Sequence, residues 1–105
     1  MEYRLIYVKV TDSSGKAVLL DSNYTEIVNT KEKIFEKTDS LNKTKGMYLF
    51  VTDSQKEMIS ENTETDVKFF GIKGSVTVVE ENYLITQDGC HIKLLKGNTN
   101  IILKQ

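Results

Sequence analysis

The stretch from Phe69 to Ile92 constrains the fold of this chain more than any other part of it. Phe69-Phe70-Gly71-Ile72, then Ser75 to Thr86, then Cys90-His91-Ile92 are three runs rich in β-branched and aromatic residues. Lys73-Gly74 and Asp88-Gly89 separate them, and at these glycines the backbone can take a positive φ and reverse tightly. Such runs joined by glycine turns predict an antiparallel meander. Within the second run the apolar parity changes: Val76 and Val78 are even, whereas Val79, Tyr83 and Ile85 are odd. A one-residue slip reverses the faces of a strand, so a bulge is expected near Glu80 or Glu81.

The rest of the chain carries the same signature. From Tyr3 to Val10, Ile6, Val8 and Val10 alternate with Leu5, Tyr7 and Lys9, a strand pattern. Asp12 to Lys16 is a turn cluster, and Ala17-Val18-Leu19-Leu20 reads as the returning strand of a hairpin. Between Tyr24 and Thr38 two short strands are expected. A helix is the alternative, because Ile27, Ile34 and Phe35 fall at i, i+7 and i+8. Asp39 to Gly46 is polar and reads as a surface loop, and the apolar Met47–Thr52 as a central strand. Ser54 and Glu57 have capping-box spacing, which predicts one or two helical turns with Met58 and Ile59 folded inward. Thr65 to Ile72 and Ile101 to Leu103 complete the strands. Nine Val, nine Ile and eleven Thr against a single Ala favour strands over helices throughout. The expectation is an all-β chain forming one antiparallel β-sandwich domain over residues 1–105. It should have about seven or eight strands, Ig-like or transthyretin-like, with one short helical turn near 53–60.

Charge narrows the partners. The 14 basic and 15 acidic residues nearly cancel and are mixed along the chain, and Arg4 is the one arginine. A nucleic acid or an anionic membrane calls for a basic face and bidentate donors, so neither is expected. The single cysteine makes no internal disulfide and leaves the compartment open. No apolar run approaches the roughly 20 residues that span a bilayer. Met1-Glu2 leads directly into a strand, without a signal peptide. Two histories fit: a cytoplasmic protein, or a mature exported domain whose leader lies outside this sequence.

Chemistry is concentrated at Cys90-His91, the only cysteine beside the only histidine. They would serve as metal ligands or as a nucleophile and its base. However, neighbours on a strand point to opposite faces, and a zinc site needs three or four ligands that this chain does not offer. The expectation is a buried, inert Cys90, sharing a face with Ile92 and Leu94, opposite His91 and Lys93. No metal or other cofactor is expected. Glu61, Glu64, Asp66, Glu80, Glu81 and Asp88 lack the spacing of a calcium loop. The tyrosines are ordinary half-buried strand residues. Tyr3 and Tyr7 are the exceptions, sharing the face opposite the core stripe. With Glu80, Glu81 and Asn82, where a bulge would re-aim side chains, they form the candidate ligand or partner surface.

Val8-Lys9-Val10-Thr11-Asp12-Ser13-Ser14-Gly15-Lys16-Ala17-Val18 resembles the start of carboxypeptidase-regulatory-like domains. These are transthyretin-like β-sandwiches whose first hairpin often reads V-x-V-x-D-x-x-G-K-P-V. Ala17 stands where that pattern prefers proline. Gly46-Met47-Tyr48 to Asp53 is similar to the family's second marker, a glycine and tyrosine entering a strand. The tail resembles small exported lipoproteins of gut bacteria that carry such a domain. Gly74, Tyr83, Ile85, Asp88, Cys90, His91, Ile92, Gly97, Ile101 and Leu103 occupy comparable places. The resemblance implies an exported, periplasmic or cell-surface domain without catalytic residues, with membrane contact only through a lipid anchor absent from this chain. Three functions are then in view. The first is a non-catalytic structural or protein-interaction module at a bacterial cell envelope. The second is a small glycan-type binding protein using a sheet face or loop end. The third, an enzyme, lacks a convergent set of titratable groups.

Overall fold

The computed structural model describes residues 4–35 and 37–103. Among them are eight strands: β1 (Leu5–Asp12), β2 (Ser22–Ile27), β3 (Lys33–Ile34), β4 (Met47–Thr52), β5 (Thr65–Lys73), β6 (Val76–Gln87), β7 (Ile92–Lys96) and β8 (Asn100–Leu103). A five-residue helix, α1 (Ser40–Thr44), precedes β4, and a 3₁₀ helix (Asp53–Met58) comes after it. The strands form two sheets, in the orders β4-β1-β8 and β3-β2-β5-β6-β7. All pairings are antiparallel except β1 with β8. The fold is an all-β sandwich. Its core joins Val8, Val10, Tyr48, Phe50 and Val51 of the smaller sheet to Ile27, Val67, Phe69, Val79, Tyr83 and Ile85 of the larger.

The glycine-joined runs form the meander β5-β6-β7. Lys73 pairs with Val76 across a two-residue tip in which Gly74 and Ser75 both have positive φ, the twist that suits right-handed strands. The bulge is real, but it lies earlier than Glu80. Gly71 pairs with Val79 and Ile72 with Thr77, so Val78 is the extra residue. A Cβ on Gly71 would lie within 2.7 Å of the Leu20 side chain and 3.1 Å of Val79. The missing side chain leaves room for Leu20 to enter the core against Val79. Beyond the bulge Val79, Tyr83, Ile85 and Gln87 are buried, while before it Val76 is 59% exposed.

Three other expectations change. The hairpin forms only at its closed end: Ala17 bridges to Thr11, the Asp12 N–H donates to the Lys16 carbonyl at 2.8 Å and the Val18 N–H to the Val10 carbonyl at 3.0 Å, while farther along β1 its two edges are taken by β4 and β8. The returning segment crosses the core with Val18 and Leu20 buried. The Tyr48 hydroxyl replaces the missing ladder, donating to the Val18 carbonyl at 2.6 Å and accepting from the Leu20 N–H at 2.7 Å. β4 is an edge strand, not a central one. Tyr48 to Thr52 are nonetheless all buried, because the segment before β4 covers it: the Thr38 hydroxyl accepts the Leu49 N–H at 2.8 Å. The polar loop 39–46 contains α1, where the Asp39 carboxylate caps the Asn42 N–H at 2.8 Å. The expectation of two short strands in 24–38 is met by β2 and β3. Ile59 is buried and Met58 packs on the core, as the plug requires.

The register separates two deletions. Removing Val78 leaves Thr77 and Val79 opposite Ile72 and Gly71 in a regular ladder, with every later residue on its own face. Removing Leu84 instead forces Tyr83 or Ile85 out of the core, each worth roughly 1.5–3 kcal/mol of burial. Thermal unfolding should place the Val78 deletion within about 8 °C of the parent, a loss of about 1 kcal/mol in a chain of this size. The Leu84 deletion should unfold at far lower temperature or not fold. Equal melting of the two would refute the bulge position.

Candidate functional site

The most distinctive surface is the outer face of the five-stranded sheet. Thr25 and Ile27 of β2 and Val67 and Phe69 of β5 point inward, so alternation turns Tyr24, Glu26, Lys68 and Phe70 outward. Register places Tyr24 opposite Phe70 and Glu26 opposite Lys68. On the other side of β5, Phe70 faces Glu80 and Lys68 faces Asn82. Phe35, next in the chain after the inward Ile34 of β3, extends the row and is 71% exposed. The Tyr24 and Phe70 rings stack at 4.8 Å between centroids and 20° between planes. Phe35 lies 5.6 Å from Tyr24 at 40°. Lys33 Nζ sits 5.1 Å from the centre of the Tyr24 ring and Lys68 Nζ 5.9 Å from that of Phe70. Lys68 also meets Glu80 at 3.5 Å.

This geometry decides what the row can bind. The stacked Tyr24 and Phe70 rings turn faces toward one another, and two ammonium groups lie near those rings. The stacked pair therefore offers ring edges, aliphatic lysine stems and mixed charges rather than a flat platform. Edges and stems fit the side chains of a protein partner better than the face of a sugar ring.

The sequence-derived surface is divided by the fold. Glu80 and Asn82 belong to this outer face. Glu81 falls on the inward parity, half-buried opposite Phe69; burial first and then the Glu81 charge raise the Tyr83 hydroxyl pKa. Tyr7 lies on the outer face of the other sheet, on the far side of the sandwich, with its hydroxyl 3.5 Å from Asn42 Nδ2 of α1. Tyr3 lies outside the described residues. Tyr24, Phe35 and Phe70 are the residues that sequence reasoning missed as a group. Their outward parity was visible in each strand, but the pairing of β2 with β5 was not.

Cys90 and His91 part company, and not for the expected reason. β7 begins at Ile92, so strand alternation does not govern residues 88–91. Asp88 Oδ1 accepts both the Cys90 N–H at 2.9 Å and the His91 N–H at 2.8 Å, making a tight turn. The His91 and Cys90 N–H groups and then Lys93 hold the Asp88 carboxyl well below the usual carboxylate range. Cys90 is exposed on this turn rather than buried with Ile92 and Leu94. His91 turns inward, with Nδ1 2.8 Å from Asp53 Oδ2. Asp53, only 7% exposed, also accepts the Arg4 N–H at 2.7 Å and the Ile92 N–H at 2.8 Å. Burial raises its pKa, but the Arg4 N–H, the His91 ring and the Ile92 N–H outweigh that and bring it down to about 2. Its described contacts run to His91, to Ile92 at the start of β7 and to Arg4 just before β1, so the carboxylate clamps the two sheets together. Among the described residues no three His, Cys, Asp or Glu side chains converge as metal ligands.

The clamp and the turn can each be tested. The folded Asp53 pKa of about 2 lies below the unfolded value of about 3.9. The stabilisation is therefore complete above about pH 4 and lost as pH falls through about 2, on the order of 1–2 kcal/mol. In urea titrations Asp53→Asn should be less stable than the parent at pH 7, with the gap closing between pH 4 and 2. A gap independent of pH would mean that the charge is not what holds the clamp. Separately, a maleimide should label Cys90 in the native protein, and Cys90→Ser should change stability by less than about 0.5 kcal/mol. Protection from labelling until denaturation would return Cys90 to the interior.

Compared with protein-family models, with curated proteins and with solved structures, the chain matches none.

Proposed function

We propose that this chain is a non-catalytic β-sandwich interaction module, exported to a bacterial cell envelope. Its partner is a protein that docks on the outer face of the five-stranded sheet. The observation that carries this reading is the row Phe35–Tyr24–Phe70. An aromatic side chain left 71% exposed at the end of a stacked pair is an anchor awaiting a pocket. Lys33, Lys68, Glu26, Glu80 and Asn82 supply the polar rim that protein interfaces use around such anchors. The non-catalytic part is supported by the Asp53–His91 pair, whose described bonds serve the joint between sheets. Export and the envelope rest on the resemblance of the Val8–Val18 hairpin and the Gly74–Leu103 tail to exported domains.

A photo-crosslinking residue installed at Asn82 should capture one defined protein partner in the source cells. Phe35→Ser combined with Phe70→Ser should abolish that adduct while the purified variant still folds. The same crosslinker at Lys9, on the other sheet, should capture nothing comparable. Absence of an adduct at Asn82, or equal capture from both faces, would overturn the reading.

A further inference from the structure

Beside the aromatic row lies a cleft of about 240 Å³ lined by Asp21, Ser22, Asn23, Phe35, Lys37, Thr38 and Lys43. It is smaller than the roughly 300–1,000 Å³ of sites for drug-sized ligands, so it suits one ring. The lining is chemically lopsided. The Asp21 carboxylate accepts the Gly74 N–H at 2.6 Å, and the Thr38 hydroxyl accepts the Leu49 N–H. Among the described residues, by contrast, the side chains of Ser22 and half-buried Asn23 make no hydrogen bond, and neither Lys37 nor Lys43 makes an ion pair. One wall is the exposed Phe35 ring, whose electron-rich face attracts the C–H face of a saturated ring.

We propose that this cleft seats a carboxylate-bearing sugar ring, a uronate unit of an acidic glycan. The ring lies on Phe35. Its hydroxyls exchange hydrogen bonds with Ser22, Asn23 and the remaining acceptor of Asp21. Its carboxylate meets Lys37 and Lys43. Two ammonium groups with no carboxylate partner among the described residues select an acidic sugar over a neutral one, and the uncommitted amide and hydroxyl select a sugar over a simple anion. The site is separate from the protein-docking face, with which it shares only Phe35.

Amide chemical shifts of the full chain, monitored during titration with sodium D-glucuronate, test this. Shifts should saturate and map to residues 21–23, 35, 37, 38 and 43. Lys37→Gln with Lys43→Gln should weaken binding by roughly fivefold, the worth of partly exposed ion pairs. Phe35→Ala should remove binding, and Phe70→Ser, which lies on the docking face alone, should leave it unchanged. Three outcomes would overturn the proposal: no saturable shift, equal binding of glucose, or equal binding of acetate or a glutamate-containing peptide. Failure of the crosslinking experiment at Asn82 would leave this titration unaffected, and the reverse holds equally.

Discussion

The fold depends on β4 being buried while paired with another strand along only one edge. A three-stranded sheet cannot cover a five-stranded one by ladder pairing alone, so β4 must engage the larger sheet and the crossing segment through side chains. Its register with β1 skips Phe50, since Ile6 pairs with Val51 and Tyr7 with Leu49. The carbonyl of that skipped residue accepts the Thr25 hydroxyl of β2 at 2.8 Å. Two residues earlier, Tyr48 holds Val18 and Leu20 by its hydroxyl. At the end of the strand, the Thr52 N–H donates to the Gln55 side chain at 2.7 Å. Each of these is a buried polar group satisfied by a specific partner. Among the described residues no buried side-chain nitrogen or oxygen lacks one. In a dry interior an unpaired group of this kind costs about 1–3 kcal/mol, so the seam tolerates one arrangement and few others.

The same seam explains which features could be read from sequence. The meander was legible because its signal is local: glycine turns and period-2 alternation within about 25 residues. The change of parity in β6 was legible, but its position was not. It is set by Gly71 and Leu20, which meet Val79 only in the folded chain. The hairpin expected from Tyr3 to Leu20 was legible only near its turn, for a related reason. Its turn forms as the residues suggest, with Asp12 accepting the Ser14 and Lys16 N–H groups. The path of the chain beyond that turn is decided by β4 and β8, which arrive from much later in the sequence. Gly46 also matters here, since a Cβ on it would run into the Val10 carbonyl and Ala17. The Asp53–His91 clamp spans 38 residues and has no spacing signature at all. The aromatic row fails to appear in sequence because three strands must pair before Phe35, Tyr24 and Phe70 become neighbours.

The division of labour between the two faces of β2 and β5 links this seam to the aromatic row. Inward, Thr25 and Phe69 are held by the core and by the Phe50 carbonyl and ring. Backbone so fixed presents its outward residues, Tyr24 and Phe70, in one relative position. A stacked pair held in that way loses little side-chain freedom on docking, and less ordering entropy opposes association. Phe35 differs. It comes after a strand of only two residues, at the free edge of the sheet, beside a cleft that Lys43 of α1 also lines. A side chain there is anchored by its ring contact with Tyr24 rather than by a ladder on both sides. The rigid pair and the less restrained edge residue thus differ in kind: Tyr24 and Phe70 make a preformed ridge, and Phe35 is both the exposed end of that ridge and a wall of the cleft.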